Sequence, residues 1–303
     1  MGKVWIVADT TYREIARQPL YYILLLFFSG AIFFSRFFTL FAFKEGDEQN
    51  MIREMGVASL TVCGILLSVI MASVVITSEV EKLTTLTLLS KPISRGQFLV
   101  GKYMGLILSN IFAVTFLFLV LAYTLWVKEV FPHLEKVSDI FDYPGAGRVI
   151  LPQLYFPFVG EAPLAYGVYT DLVNFCQNTL NPVFKGTLLS FLQIAVLASI
   201  AVSVAPHFSL VINGASAFLL FALGHMTQYI HVQAKGASLF YYVLAQIFFL
   251  AMPNLGYFNA ASLLATRSSI SYEYVGAAGA YGVLYITAAL AIATVLFSRK
   301  EVK

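Results

Sequence analysis

Apolar residues run along this chain in long blocks separated by short polar stretches. A bilayer core of about 30 Å needs roughly 20 apolar residues as helix. Six blocks meet that length: 20–43, 56–78, 103–127, 186–205, 210–231 and 274–298. Arg36 is the one Asp, Glu, Lys or Arg inside them. It lies near the end of the first block, where a long cation can snorkel to the interface. Contact with an anionic solute is the functional alternative. A further uncharged stretch, 236–266, is broken at Pro253-Asn254-Leu255-Gly256. Its first apolar piece, 238–252, reaches about 22 Å as helix, short of a full crossing. The pattern predicts a re-entrant hairpin before the sixth span, which is tolerated where protein or a wet cavity covers its backbone.

Residues 1–19 show a different period. Val4, Ala8, Thr11, Tyr12 and Ile15 fall on one helical face, while Asp9, Arg13, Glu14 and Arg17 fall mostly on others. This spacing predicts an amphipathic helix in the membrane interface, with Trp5 and Tyr12 at headgroup level. The apolar run after Pro19 is too long for a signal-peptide core, and no small-residue cleavage site follows it.

With six spans both termini share one side. Lys3, Arg13 and Arg17 flank the start, and Arg299, Lys300 and Lys303 flank the end. Lys82, Lys91, Arg95 and Lys102 fill the connection between spans two and three. The positive-inside rule places all three groups in the cytoplasm. The long hydrophilic insertion 128–185 is then external. Six of its residues are Pro, so it reads as loop with short helices, one of them over 171–179.

Composition agrees. Hydrophobic residues make up 59% of the 303 residues and charged residues 12%, against about 25% charge in a soluble domain. A soluble enzyme is excluded. The net charge of +3 is too small and dispersed for nucleic-acid binding. Cys63 and Cys176 cannot form a disulfide framework.

Site chemistry is sparse. Gly96-Gln97-Phe98-Leu99-Val100-Gly101-Lys102 matches seven positions of a P-loop, but Tyr103 stands where Ser or Thr must hold Mg²⁺. A helix start with Lys102 at the membrane interface is the better reading. His225 and His231 lie six apart, about 120° around a helix, so they do not share a face. His225 and Gln228 do, and a polar pair fits them better than a metal or substrate site. Asp139 and Asp142 lack the dense oxygen ligands of a Ca²⁺ loop. No catalytic constellation or metal-ligand cluster is legible, and no cofactor is expected in this chain. Spans two to six hold no intramembrane carboxylate, which argues against a secondary transporter driven by an ion gradient.

The informative segment is 79–105. It leaves span two as helix, and Leu83, Leu86 and Leu89 keep helical spacing on one face. Pro92 then breaks the helix, and Ser94 can cap the next one. The result is a short cytoplasmic helix with an exposed leucine edge, a docking surface by pattern. The alternative is a hairpin packed on its own bundle.

This segment resembles the coupling-helix region of ABC-2-type transporter permeases. Members carry an acidic pair, a Thr, a Leu-Leu-Ser-x-Pro, then Ile or Val, Ser-Arg, and a Gly-Lys before the third span. Here stand Glu79, Glu81, Thr85, Leu88, Leu89, Ser90, Pro92, Ile93, Ser94, Arg95, Gly101 and Lys102. Leu83-Thr84 replaces the Lys/Arg-Gly of many members. Arg13-Glu14 followed by Pro19, the Met252-Pro253-Asn254-Leu255 break and the terminal Arg299-Lys300-Glu301 are also similar to the family. The branch it most resembles is associated with export or with maturation of multi-copper enzymes.

The resemblance implies an all-α membrane protein with an interfacial helix at 1–19 and a six-span permease domain at 20–303. It implies a dimer of permease subunits, homo- or heteromeric, in a prokaryotic inner membrane. ATP and Mg would be bound by a separate ATPase subunit, docked through Glu79, Glu81, Leu83, Leu86, Leu89, Pro92 and Arg95. The chain itself would be a transport subunit without catalytic residues, most simply of an exporter. Two rival readings are a mechanotransmission subunit acting through 128–185 and an intramembrane enzyme.

Overall fold

The structure, a computed structural model, describes residues 2–38, 47–81, 94–129, 172–234, 239–265 and 270–299. The described residues are helical throughout, apart from short turns. In chain order the helices are α1 (Gly2–Ala16), α2 (Pro19–Phe38), α3 (Asp47–Glu81), α4 (Arg95–Glu129), α5 (Asn181–Val204), α6 (Leu210–Ala234), α7 (Leu239–Ala251), α8 (Ala260–Ala265) and α9 (Tyr272–Arg299). Six of the described helices are long and apolar enough to cross a membrane: α2, α3, α4, α5 with the turn before it, α6 and α9. Each corresponds to one apolar block of the sequence. The protein is an integral membrane protein in this sense.

Helices α3 and α5 form the centre. The former packs against α2, α4, α5, α6 and α8, and the latter also against α4 and α9. Their core side chains include Leu60, Leu67, Met71, Leu189, Ile194 and Val196. Glycine lets the centre close up. At Gly64 a Cβ would fall 2.3 Å from an Ile194 side-chain carbon, and at Gly56 2.3 Å from one of Leu121. The outer faces of α2, α6 and α9 expose Leu26, Phe27, Val211, Phe218, Leu284 and Leu296. Aliphatic and aromatic side chains facing outward are stable beside lipid tails, which are as apolar as they are.

Several helices outrun the apolar blocks. The second begins its crossing helix at Asp47 and the third at Arg95, because polar residues flanking a span have no reason to leave the helix at the bilayer surface. The helix expected over 171–179 is not separate from the fourth span. Helical residues begin at Leu172 and run through a π-helical turn, Phe175–Leu180, into α5. The Asn181 N–H bonds Cys176 O, five residues back. Pro182 explains the wide turn. It lacks an N–H and its ring crowds the carbonyl four residues earlier, so the helix loosens there instead of breaking.

The two ends of the bundle are distinct. At one end Thr11 and Ile15 of α1, Met71 and Val75 of α3, Lys102 of α4 and Val202 of α5 meet, and Phe98 of α4 stacks on Phe297 of α9. Helix α1 and the end of α9 therefore share an end with the α3–α4 connection, as the parity of six spans requires. At the other end Arg53 donates to Thr179 at 2.7 Å, Lys128 pairs with Glu48, and Tyr272 donates to Asn181 at 3.0 Å. Between α6 and α9 the chain runs along α7, turns at Pro253–Asn254 and returns through a 3-10 turn (Leu255–Phe258) and α8. Leu255 and the Pro253 carbonyl press on Gly224 of α6, and Leu264 of α8 sits on Gly186 of α5.

Candidate functional site

Helix α4 starts with a capping box. The Ser94 hydroxyl accepts from Gln97 N and the Gln97 side chain accepts from Ser94 N, both at 3.2 Å. This reciprocal pair satisfies two donors at the helix start. Ser94 is thus the cap its position predicted. Residues 95–102 are helical, so the Gly96–Lys102 stretch does not form the backbone cradle a P-loop needs.

Arg95, a candidate docking residue, occupies the first helical position of α4 and is exposed. Its Nη1 donates to Phe297 O at 2.9 Å, and its guanidinium lies 5.8 Å from the Phe297 ring. Glu79 and Glu81 lie on the last turn of α3. Leu83, Leu86, Leu89 and Pro92 lie outside the described residues, and with them the short helix expected between spans two and three. The structure brings both flanks of that segment to the end of the bundle shared by α1 and α9.

Lys102, expected at the membrane interface, is the eighth residue of α4 and only 3% exposed. Its Nζ lies 3.6 Å from Glu14 Oε2 of α1 and 5.5 Å from the Phe98 ring. A buried cation needs such a partner, since an isolated one costs several kcal/mol.

The same surface of α4 carries a feature that the apolar period does not reveal. Gly101 and Gly105 are four apart on one face, and α1 crosses there. A Cβ on Gly105 would lie 2.6 Å from Ala8 O and 2.6 Å from Thr11 Cβ; one on Gly101 would lie 2.6 Å from Val7 Cβ. This is close backbone approach over small residues spaced as G-x-x-x-G. The spacing was readable in the sequence, but its partner was not. The apolar stripe of α1 accordingly buries Val7, Ala8, Thr11 and Ile15 against protein, and Trp5 and Ile6 remain exposed.

Uncharged polar residues tie α3 to three neighbours. Thr61 donates to Ser190 of α5 at 2.8 Å. Asn110 of α4 donates to Ser68 at 3.0 Å, and Asn213 of α6 donates to Ser73 at 2.7 Å and to Ala201 O at 3.3 Å. In an apolar bundle such bonds specify which helix faces which. Their Asn side-chain oxygens are buried without a hydrogen-bond partner among the described residues.

The two histidines of α6 do face different neighbours. His225 Nε2 lies 3.3 Å from Gln193 Nε2 of α5, and its Nδ1 lies 2.9 Å from Phe221 O. With the proton on Nδ1, that ring donates to the carbonyl and accepts from the amide. The side-chain partner is therefore Gln193, across the helix interface. The side chain of Gln228, the pairing the spacing favoured, lies outside the described residues. The His231 ring lies against Phe249 of α7, with centroids 4.8 Å apart and planes tilted by 36°. Among the described residues no group of three or more His, Cys, Asp or Glu could hold a metal ion. Cys63 is buried and Cys176 exposed, both free.

The turn at Pro253–Asn254 is built from polar contacts. Asn254 N donates to the Tyr281 hydroxyl of α9 at 2.9 Å, and the Asn254 side-chain oxygen accepts from Gly256 N at 3.1 Å. Tyr274 of α9 donates to Tyr257 O at 2.8 Å.

The fold is that of an integral membrane protein with six helices, among the described residues, long and apolar enough to cross a membrane. No protein-family model matches the chain, and no curated protein matches it in sequence.

Proposed function

We propose that this chain is the membrane-spanning subunit of an ATP-driven ABC-2-type transporter, acting as an exporter and coupled to a separate ATPase. The observation that carries the reading is the 79–105 pattern. Its flanks, the end of α3 and the capped start of α4, meet α1 and the end of α9 at one end of the bundle. A segment that docks a moving partner is best placed where several helix ends converge, because a push there reaches α1, α3, α4 and α9 together.

In this reading α1 lies in the membrane interface, the coupling helix falls within 79–91, and α7 with α8 forms the re-entrant hairpin. The Asn254–Tyr281 and Tyr274–Tyr257 hydrogen bonds support the last point, since backbone at membrane depth needs protein partners. That end of the bundle is cytoplasmic by the positive-inside rule. ATP and Mg belong to the ATPase, and a second permease subunit, identical or different, completes the transporter.

The test is co-expression with a candidate ATPase subunit, one that carries a true Gly-x4-Gly-Lys-Ser/Thr loop and is sought in the neighbouring reading frame. An aspartate at the leucine edge would put an ion in a desolvated groove without a partner, at a cost of several kcal/mol. Leu86→Asp should insert in the membrane normally yet fail to copurify with the ATPase, and Arg95→Ala should cost less. Normal copurification and transport by Leu86→Asp would remove 79–91 as the coupling helix and this reading with it.

A further inference from the structure

We infer that the corner between α1 and α2 is a binding site for the headgroup of an anionic phospholipid, held by Arg13 and Arg17. Arg13 and Arg17 stand one turn apart and line, with Thr10, Glu14 and Gln18, a surface cleft of about 500 Å³. Its depth in the membrane follows from the chain itself. The first apolar span begins at Pro19, two residues after Arg17, so the cleft lies at headgroup level if that helix crosses. The inference rests on α2 being a crossing helix and goes beyond the transporter reading.

The corner is rigid. Arg17 N donates to Glu14 O at 3.2 Å, Gln18 N to Ile15 O at 3.0 Å, and the Tyr22 hydroxyl to Ala16 O at 2.8 Å. Helix α1 is also fixed from behind by the glycines of α4. The backbone beneath the cleft is therefore fixed before a ligand arrives, which lowers the ordering cost of binding.

Its charge is cationic after the acids are counted. Asp9 Oδ2 sits on Arg13 Nε at 3.0 Å. Glu14 lies on the cleft wall, and Lys102 faces its carboxylate from inside the bundle at 3.6 Å. Asp9 and Glu14 thus stand against Arg13, Arg17 and Lys102, with Lys3 further along α1. Guanidinium pairs suit phosphate oxygens, because they present several N–H donors in a plane. The Gln18 amide adds a neutral donor at the rim, while the Thr10 hydroxyl donates to its own helix, at Val7 O and Ile6 O. Exposed Ile6, seven residues before Arg13 and on the same helical face, adds an apolar contact toward the acyl boundary. The site commits to a membrane lipid, since its cations sit where phosphodiesters are concentrated.

Native mass spectrometry of the purified full chain in neutral detergent tests this, with phosphatidylglycerol or phosphatidylcholine titrated at equal concentration. The wild-type chain should retain phosphatidylglycerol about tenfold more strongly, the scale of a few surface cations on an anionic lipid. Arg13→Ala with Arg17→Ala should erase the preference, and Arg13→Lys with Arg17→Lys should keep most of it. Both side chains face outward, so melting in phosphatidylcholine should not change; if the double alanine variant does unfold, Arg17→Gln alone must lower the preference. Equal retention of both lipids, or a preference untouched by the alanines, overturns the proposal. Displacement of the lipid by inorganic phosphate at equal concentration would make the cleft a free-anion site instead. Loss of ATPase copurification with unchanged lipid retention would make it a protein-docking face. The readout uses the isolated chain, so its failure is separate from failure of the transporter reading.

Discussion

Arg95 at the start of α4 caps the end of α9: its Nη1 donates to the Phe297 carbonyl at 2.9 Å and its guanidinium lies 5.8 Å from the Phe297 ring. The last four carbonyls of a helix lack intrahelical partners, and a cation there also complements the helix dipole. One side chain thus joins the first residue after the α3–α4 connection to the last turn of the chain's final helix. Arg95→Ala should lower the unfolding free energy in detergent by about 1–2 kcal/mol, as expected for a hydrogen bond to a charged group. Arg95→Lys should recover only part of it, because an ammonium lacks the planar fork. Equal melting of Arg95→Ala and wild type would show that the cap is not energetically felt.

Helix α1 should be released by filling the glycine groove of α4. A Cβ on Gly105 would meet the Ala8 carbonyl, which is backbone and cannot swing aside. Gly105→Ala should cost about 1–3 kcal/mol, the usual range for overpacking. Gly105→Leu should expose α1 to protease while the apolar spans stay protected. Gly30→Ala is the control, since nothing lies within 4 Å of a Cβ there.

The polar pairs of α3 should be measurable by double-mutant cycles. Ser73→Ala leaves the buried Asn213 amide with Ala201 O as its remaining partner. Ser73→Ala and Asn213→Ala should couple by about 0.6 kcal/mol, typical of interhelical hydrogen bonds in membranes. A cycle that closes to zero would mean the bond has no net worth in the bundle.

Native cysteines offer a topology test. Cys176 is exposed at the end opposite α1, and Cys63 is buried. An impermeant maleimide should label wild-type chain on intact cells and leave Cys176→Ser unlabelled. Ser94→Cys in that background should react only after permeabilisation. Labelling of Ser94→Cys from outside would invert the proposed orientation.

Crossing helices were legible in the sequence because their signal is local. A run of roughly 20 apolar residues has one stable arrangement in a bilayer, whatever its neighbours. The cap at Ser94, the common end of α1 and the last turn of α9, and the separate faces of His225 and His231 were legible for the same reason. Each follows from spacing along one helix or from counting crossings.

Tertiary structure decided which helix meets which. The sequence shows Gly101 and Gly105 but not that α1 fills the groove between them. It shows Lys102 near a span but not that Glu14 draws it inside. It marks Ser68, Ser73, Asn110, Gln193 and Asn213 as polar residues in apolar blocks, yet their partners lie 32 to 140 residues away along the chain. Lipid tails and neighbouring helices are equally apolar, so hydrophobic pattern alone carries no preference between them. Close packing over small residues and the pairing of buried polar groups supply that preference, and both exist only once the helices are together.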